Sequence, residues 1–350
     1  MTDTDETGEV LTLSHGAGAS SMRSLIDSLA VSRFADDDDD PSAGTVGLAA
    51  LDDGAAHPIQ GDRSVVVTTD SHVVDPPRFP GGDIGRLAVA GTVNDLAVMG
   101  ATEPLMLTCS LVVEEGYHVD ELDSIMASVE DTCEDAGVQV TTGDTKVMGS
   151  GDLDGPVINT TGVAVVPSGS VVPDSALSVG DAIIVSGTVG DHGIALLSER
   201  EDFGFEGDLE SDVAPVNDLV RTAAEAGRVT AMKDPTRGGV ATALNEMASK
   251  SDIGLELDEP AIPVDGTVAS AAEVLGIDPL DVANEGKVIF GVDAEDADAV
   301  LEALQDHPQG RDAALVGHAT DEHTGRVVLD TGFGRRYLSE PEGEALPRIC

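Results

Sequence analysis

The chain has no tryptophan, and only two tyrosines and six phenylalanines among its 350 residues, so its core has to be assembled from small aliphatic side chains. Basic residues are scarce: 18 Lys and Arg face 66 Asp and Glu, a formal charge of −48. No Lys/Arg block exists, and a field of this sign repels phosphate backbones and anionic membranes, which excludes nucleic-acid and membrane-surface binding. Three cysteines, an odd number, give no disulfide framework. Neither a signal peptide nor an apolar run long enough to span a bilayer is present, so a cytoplasmic protein is expected. Regular apolar periodicity argues against disorder, and the acidic, lysine-poor composition is that expected of a protein adapted to molar salt. No GxxxxGK[ST] and no GxGxxG follows any strand-like segment, which excludes P-loop and Rossmann nucleotide sites.

Apolar spacing predicts two α/β halves. The first holds strand-like Thr45–Leu51, Ser64–Thr69, Pro104–Val113, Val138–Thr141 and Val157–Val166, with helices over Ile84–Met99 and around Val119–Cys133. Pro167 to Gly180 reads as a linker, and a second half of similar style runs to about residue 334. The expected division is 1–44 (an N-terminal segment with the Asp36–Asp40 run), 45–166, 167–334, and a tail over 335–350. Cys133 and Cys109 fall in apolar patterns and are expected in the core. His57 and His192 read as ordinary polar residues.

Acidic residues recur just after strands or on glycine-rich turns: Asp52 and Asp53, Asp70, Asp95, Asp144 and Asp234. Strand ends let separate segments converge at one mouth, and converging carboxylates call for a hard divalent cation such as Mg²⁺, which binds through a few carboxylates plus substrate phosphates. Each of these residues taken singly is equally a helix cap or turn residue. Only four lysines exist, and three lie in Gly/Asp/Thr-rich turns: Lys146, Lys233 and Lys287; Lys250 ends a helix. Arg237-Gly238-Gly239 can be a helix start or a phosphate contact. The final residue, Cys350, follows Pro347-Arg348-Ile349 on an arm that reads as extended and can reach about 50 Å. It is either a frayed end or a thiol to be delivered somewhere.

The segments TTDSHVVDPPRFPGGDIGRLAVAGTVNDLAVMGA (68–101), GDTKV (143–147), KDPTRGGVATALNEMA (233–248), ANEGKV (283–288) and the ending PRIC resemble the HypE family. Those are hydrogenase-maturation carbamoyl dehydratases of the PurM-like ATP-binding superfamily. The resemblance spans nearly the whole chain from about Leu11. It implies an α/β (α+β) two-domain fold, a homodimer with a β-barrel-like interface between first domains, and ATP bound between the two domains. By the same resemblance Asp53 (with Asp52 beside it), Asp70, Asp95 and Asp234 hold Mg²⁺ and phosphates. Gly81, Gly82 and Asp83 lie near the nucleotide, as do Asp144, Arg237 and Gly238. Lys146, Asn284 and Glu285 surround the reacting carboxamide, and His15-Gly16 belongs to a lid. The sequence departs from the pattern at Ala19, at His72, where an aromatic residue is expected, and in the Asp36–Asp40 run.

The implied chemistry is ATP-dependent dehydration of an S-carbamoyl group on Cys350 to a thiocyanate. A HypF-like carbamoyltransferase would load the thiol, and HypC/HypD-like proteins would receive the cyano group. Two other readings compete. One is a PurM-like enzyme acting on a free small molecule, such as a selenophosphate synthetase or thiamine-phosphate kinase; the other is a non-catalytic thiol-tail carrier. A diffusing substrate needs no tethered thiol, and a carrier has no use for the carboxylates with Lys146 and Glu285.

Overall fold

Alternating valine and polar residues make Arg63–His72 a strand with one buried face, and it lies at the heart of the first sheet. The computed structural model describes residues 11–12, 19–35, 44–201, 203, 209–341 and 349–350. His15, Gly16 and the Asp36–Asp40 run lie outside the described residues. The strands of the first half are β1 (Ala55–Ile59), β2 (Arg63–His72), the short pair β3 (Arg78–Phe79) and β4 (Gly82–Asp83), β5 (Pro104–Glu114), β6 (Val140–Met148) and β7 (Val157–Pro167). They form an open sheet in the order β1-β2-β7-β5-β6, with β3 and β4 paired separately. Only β5 and β6 run parallel, joined by a helical crossover.

Helix α1 (Ala19–Ile26) continues through a π-helical turn, Asp27–Val31, into α2 (Ser32–Phe34). Helix α3 (Ile84–Val98) is buried almost all round. It packs on β2 and β7 with one side and meets the second half with another. Asp83 starts it, its side chain accepting from the N–H groups of Gly85 and Arg86. Helix α4 (Val119–Ala136) is amphipathic, turns Ile125, Val129 and Cys133 inward, and ends at Gly137 in the left-handed region.

The second half contributes β8 (Ala182–Val185), β9 (Val229–Lys233), β10 (Gly254–Asp258), β11 (Ile289–Val292), β12 (Ala314–Thr320), β13 (Val327–Asp330) and β14 (Arg335–Leu338). Their order is β14-β13-β10-β12-β8-β11-β9. Both β8 and β11 are buried at every residue, as strands covered on two faces must be. The covering helices are α5 (Asp191–Arg200), α6 (Asn217–Ala226), α7 (Gly239–Lys250), α8 (Gly266–Leu275) and α9 (Ala297–Asp306). Among the described residues no helix is long and apolar enough to cross a membrane.

The two-domain α/β organisation matches expectation, with local differences, one of them β6, which runs as a strand through Gly143 to Lys146 where a turn was expected. Thr45–Leu51 supplies only a bridge at Val46 and a short 3-10 turn; β1, carrying His57 and Pro58, is the true first strand. Pro58 is tolerated because β1 is an edge strand. The expected linker, 167–180, buries Val171, Asp174 and Leu177 against both halves rather than running free. Arg335–Leu338, expected to begin the tail, instead pairs with β13 as a sheet edge.

Candidate active site

Between the halves lies a cavity of about 490 Å³ whose wall includes Asp52, Asp53, Asp70, Asp95, Asp234, Arg237, Glu285 and Cys350. Asp70 sits near the end of β2, on the same strand face as the buried Ser64, Val66, Thr68 and His72. Asp95 reaches the cavity from α3, and its carboxylate accepts a 2.6 Å hydrogen bond from the Thr68 hydroxyl. Asp234 follows β9 directly. Helix α7 begins at Gly238-Gly239, both in the left-handed region. A Cβ on Gly239 would stand 2.4 Å from the Val282 carbonyl. Only glycine therefore lets the start of α7 press against the loop that carries Asn284 and Glu285.

The carboxylates raise one another's cost of ionisation. Burial, then the neighbouring Asp174 and Asp53, push Asp52 up to about 7. Burial and Asp53 push Asp234 up to about 8. Asp95 and Glu285 are held well above the usual carboxylate range by burial first and by Asp234 second. Asp70 goes the other way: burial opposes its charge, but His72 and Arg237 outweigh it. Of these two, only Arg237 is charged near neutrality, because burial keeps the His72 ring below its usual range. The Oδ2 of Asp53 and the Oε1 of Glu285 are buried without a hydrogen-bond partner. Orphaned, mutually repelling oxygens facing one space are what a hard divalent cation with nucleotide phosphates satisfies. The set does not close on a point by itself. Among the described residues the one acidic or histidine trio within 4.8 Å of one another is Glu256, Glu322 and His323, elsewhere on the surface.

Lysines supply charge balance that sequence reasoning did not assign. Lys233, the last residue of β9, donates to Asp53 at 2.6 Å and lies 3.3 Å from Asp174 and 3.4 Å from Glu246. Lys250 reaches Asp174 at 2.7 Å and the Leu51 carbonyl at 2.6 Å. Lys287 clamps Asp212 at 3.0 Å and Asp191 at 3.4 Å. Lysine scarcity was the one available signal: three of the four lysines in the chain are ion-paired between elements of the interior.

Cys350 is docked, not extended into solvent. It is 7 % exposed, and a main-chain carboxylate oxygen of it accepts from the Val73 N–H at 3.3 Å. Ile349 is equally buried, and its carbonyl lies 2.8 Å from His192 Nε2. Burial holds the Cys350 thiol well above its usual range, so it rests protonated. Cys109 and Cys133 are buried free thiols, as expected.

Several expected site residues lie elsewhere. Asp83 spends its carboxylate on the α3 cap and on the Ser128 hydroxyl at 2.7 Å. Gly81 and Gly82 pack on Ser211 and Val213 instead of facing the cavity. Asn284 is fully committed to the backbone: its Oδ1 accepts from Gly190 at 2.8 Å, and its Nδ2 faces the carbonyls of Pro235 and Val282. It braces the Glu285 loop. Lys146 and Asp144 form a 2.5 Å ion pair, and both are more than half exposed. Lys146 pairs across β6 with Val112, whose neighbours Leu111 and Val113 face the core, so it projects from the opposite face of the sheet. It also lies three strands, about 14 Å, from β2. No side-chain movement within this chain carries it to Cys350.

Comparison with known proteins covers nearly the whole chain. Residues 51–166 match the N-terminal domain of AIR synthase related proteins, and residues 178–330 match the C-terminal domain. A putative hydrogenase expression/formation protein of Methanocaldococcus jannaschii is 48% identical over 341 residues, covering 97% of this chain and 99% of that protein. Carbamoyl dehydratase HypE of Rhizobium leguminosarum is 45% identical, covering 97% and 94%. Among solved structures, a HypE–HypF complex superposes with a TM-score of 0.82 at 39% identity, covering 91% of this chain and 99% of that one. HypE in complex with ATP gives 0.79 at 40% identity, covering 97% and 100%.

Proposed function

We propose that this chain, which belongs to the HypE family of AIR synthase related proteins, dehydrates a carbamoyl group carried on its own Cys350, using ATP. The observation that carries this reading is the docking of Cys350 at the wall of a cavity lined by Asp53, Asp70, Asp95, Asp234 and Glu285. The relatives named carbamoyl dehydratase and the ATP complex of a 40% identical HypE support it.

Oxide is a poor leaving group, so the carbamoyl oxygen takes the γ-phosphoryl group of ATP and departs as phosphate. Of the two N–H protons, one ends on phosphate and one is released as C≡N forms. The products are Cys350 thiocyanate, ADP and phosphate. Glu285 would exchange the N–H proton: burial and Asp234 hold its carboxyl well above the usual range, so it serves as base once neighbouring negative charge is neutralised. Asp53, Asp70, Asp95 and Asp234 would hold Mg²⁺, which supplies neutralisation of phosphoryl charge. Arg237 and the start of α7 face the same space and suit phosphate oxygens.

Lys146 fits this reading only from a second copy of the chain. The outer face of the first sheet exposes Val67 and Val165, each by more than a third. Apolar β-strand surface of this kind is covered in a homodimer, and the partner's copy of β6 would then bring in the lysine. The HypE–HypF complex supports a HypF-like protein as the source of the carbamoyl group, and HypC/HypD-like scaffolds would accept the cyano group. The test is the intact mass of carbamoylated chain before and after Mg-ATP. Loss of one water, mapped to Cys350, is expected; an unchanged mass with ATP consumed would overturn the assignment.

A further inference from the structure

We propose that His192, fixed in one tautomer by Ser211, is the positioning residue that seats Ile349–Cys350 with the thiol at the carboxylate cavity. This rests on the reading of Cys350 as the group that carries the substrate.

The chemistry of the contacts determines where the hydrogen sits. Ser211 Oγ accepts from the Val213 N–H at 3.1 Å, which leaves its own O–H to donate. That O–H faces His192 Nδ1 at 2.7 Å, so Nδ1 is the acceptor and Nε2 bears the hydrogen. Nε2 in turn lies 2.8 Å from the Ile349 carbonyl, which can only accept. Every hydrogen-bonding atom of a ring with no solvent exposure is thereby used, and burial keeps the ring neutral, as this pattern requires. The edge of the ring meets Phe79 at 87°, with centroids 5.3 Å apart, which fixes its plane.

The seat has two further parts. The Ile349 side chain joins a buried apolar cluster with Val74, Phe79, Ile84 and Leu87. A main-chain carboxylate oxygen of Cys350 accepts from the Val73 N–H. The two backbone bonds therefore bracket the Cys350 Cα, one made from α5 of the second half and one from the segment after β2 of the first. Ser211 itself donates its N–H to the Pro80 carbonyl at 2.8 Å, so the histidine's orienting partner is held by the first half as well. A dipeptide pinned at consecutive main-chain oxygens has little freedom left in where its thiol points. The rest of the chain offers no second hydrogen-bonding side chain to either oxygen among the described residues.

The test uses the full chain with a free Cys350 and measures alkylation by N-ethylmaleimide, residue by residue, by peptide mass spectrometry. Cys109 and Cys133, both buried, serve as internal references for general loosening. His192→Leu leaves the Ile349 carbonyl without its donor and is expected to speed alkylation of Cys350 about tenfold. His192→Gln returns an N–H near the Nε2 position and is expected to restore protection to within about twofold. Ser211→Ala frees the tautomer and is expected to give an intermediate rise of about threefold. Dehydration of pre-carbamoylated chain should slow in the same order, while loading of the thiol by the carbamoyl donor is not slowed. That split separates positioning from a general structural effect. Unchanged Cys350 alkylation in His192→Leu and Ser211→Ala would overturn the proposal, as would an equal rise at Cys109 and Cys133. Should His192→Leu fail to fold, Ser211→Ala and His192→Gln carry the same comparison. If alkylation follows the expected order but dehydration does not, the seat stands and the substrate role of Cys350 falls.

Discussion

The two faces of the first sheet are opposites. The helix-covered face carries Thr68 and Asp70 into a buried, over-acidic cavity, where carboxylates are pushed up to about 7 or 8 and oxygens lack partners. The other face is open valine and threonine surface, and at its edge all nine residues of β6, Lys146 included, are exposed. The first region has too much negative charge for its surroundings; the second has a cation with only Asp144 to meet it. What one face lacks the other displays. A single chain cannot join them, because the sheet itself lies between.

The comparison is broken most directly on the buried side. Asp95→Asn and Asp234→Asn should each cut ATP-dependent loss of water from the carbamoylated chain by at least about a hundredfold, read by intact mass against time. Wild-type rates in either variant would remove that residue from the nucleotide site. Next comes the open side. Lys146→Ala should lose activity on a similar scale, and mixing it with inactive Cys350→Ala chains should restore a substantial fraction, because a mixed dimer contains one intact lysine facing one intact thiol. No recovery after mixing would place Lys146 outside the reaction or inside its own chain's site.

The charge balance of the buried side can be tested through stability alone. Lys233→Met removes the partner of Asp53 and Asp174 and should cost about 3 kcal/mol in chemical denaturation, whereas Asp144→Asn on the exposed pair should leave the denaturation midpoint unchanged. Equal effects would mean that the cavity is far better hydrated than its geometry indicates. The same carboxylates also set a pH dependence. Asp52 and Asp234 bind protons more tightly folded than unfolded, so unfolding releases protons and stability falls as pH rises from about 4 towards 8. The metal-free, nucleotide-free chain should therefore be roughly 3 kcal/mol more stable at pH 6 than at pH 8, and saturating Mg-ATP should flatten or reverse that trend. A chain that gains stability on going from pH 6 to 8 without ligand would contradict the raised values.

What was legible in the sequence divides along the same line. Asp70, Asp95, Asp234 and Glu285 were readable because each sits in a motif at a strand end, a helix face or a loop, Asp53 because it follows a strand-like segment, and Cys350 from the ending PRIC. Burial between two halves then leaves such residues few directions in which to point. Lys146 sits in a motif of equal quality, but its direction depends on the parity of β6 against β5, which is set by pairing and cannot be seen in one strand. Asp83 lost to local chemistry: an aspartate immediately before an apolar helix caps it. Asp174, within PSGSVVPDSALSVG, looked like linker because its small and polar neighbours show no periodicity, and only the lysines from β9 and α7 that meet it reveal a role. A lone histidine such as His192 carries no local signal at all, since its partners, Ser211 and Ile349, lie 19 and 157 residues away.

The docked dipeptide also changes what kind of rate can be measured. When the reacting group is bonded to the catalyst, its concentration at the site is set by the fraction of time it is seated, and the amount of protein in the tube drops out of the rate law. Dehydration by a loaded chain is then first-order and indifferent to dilution, and each loading permits one event. Any slowing on dilution would have to enter through contact between two chains, so a simple dilution series tests whether a second copy supplies β6 to the site.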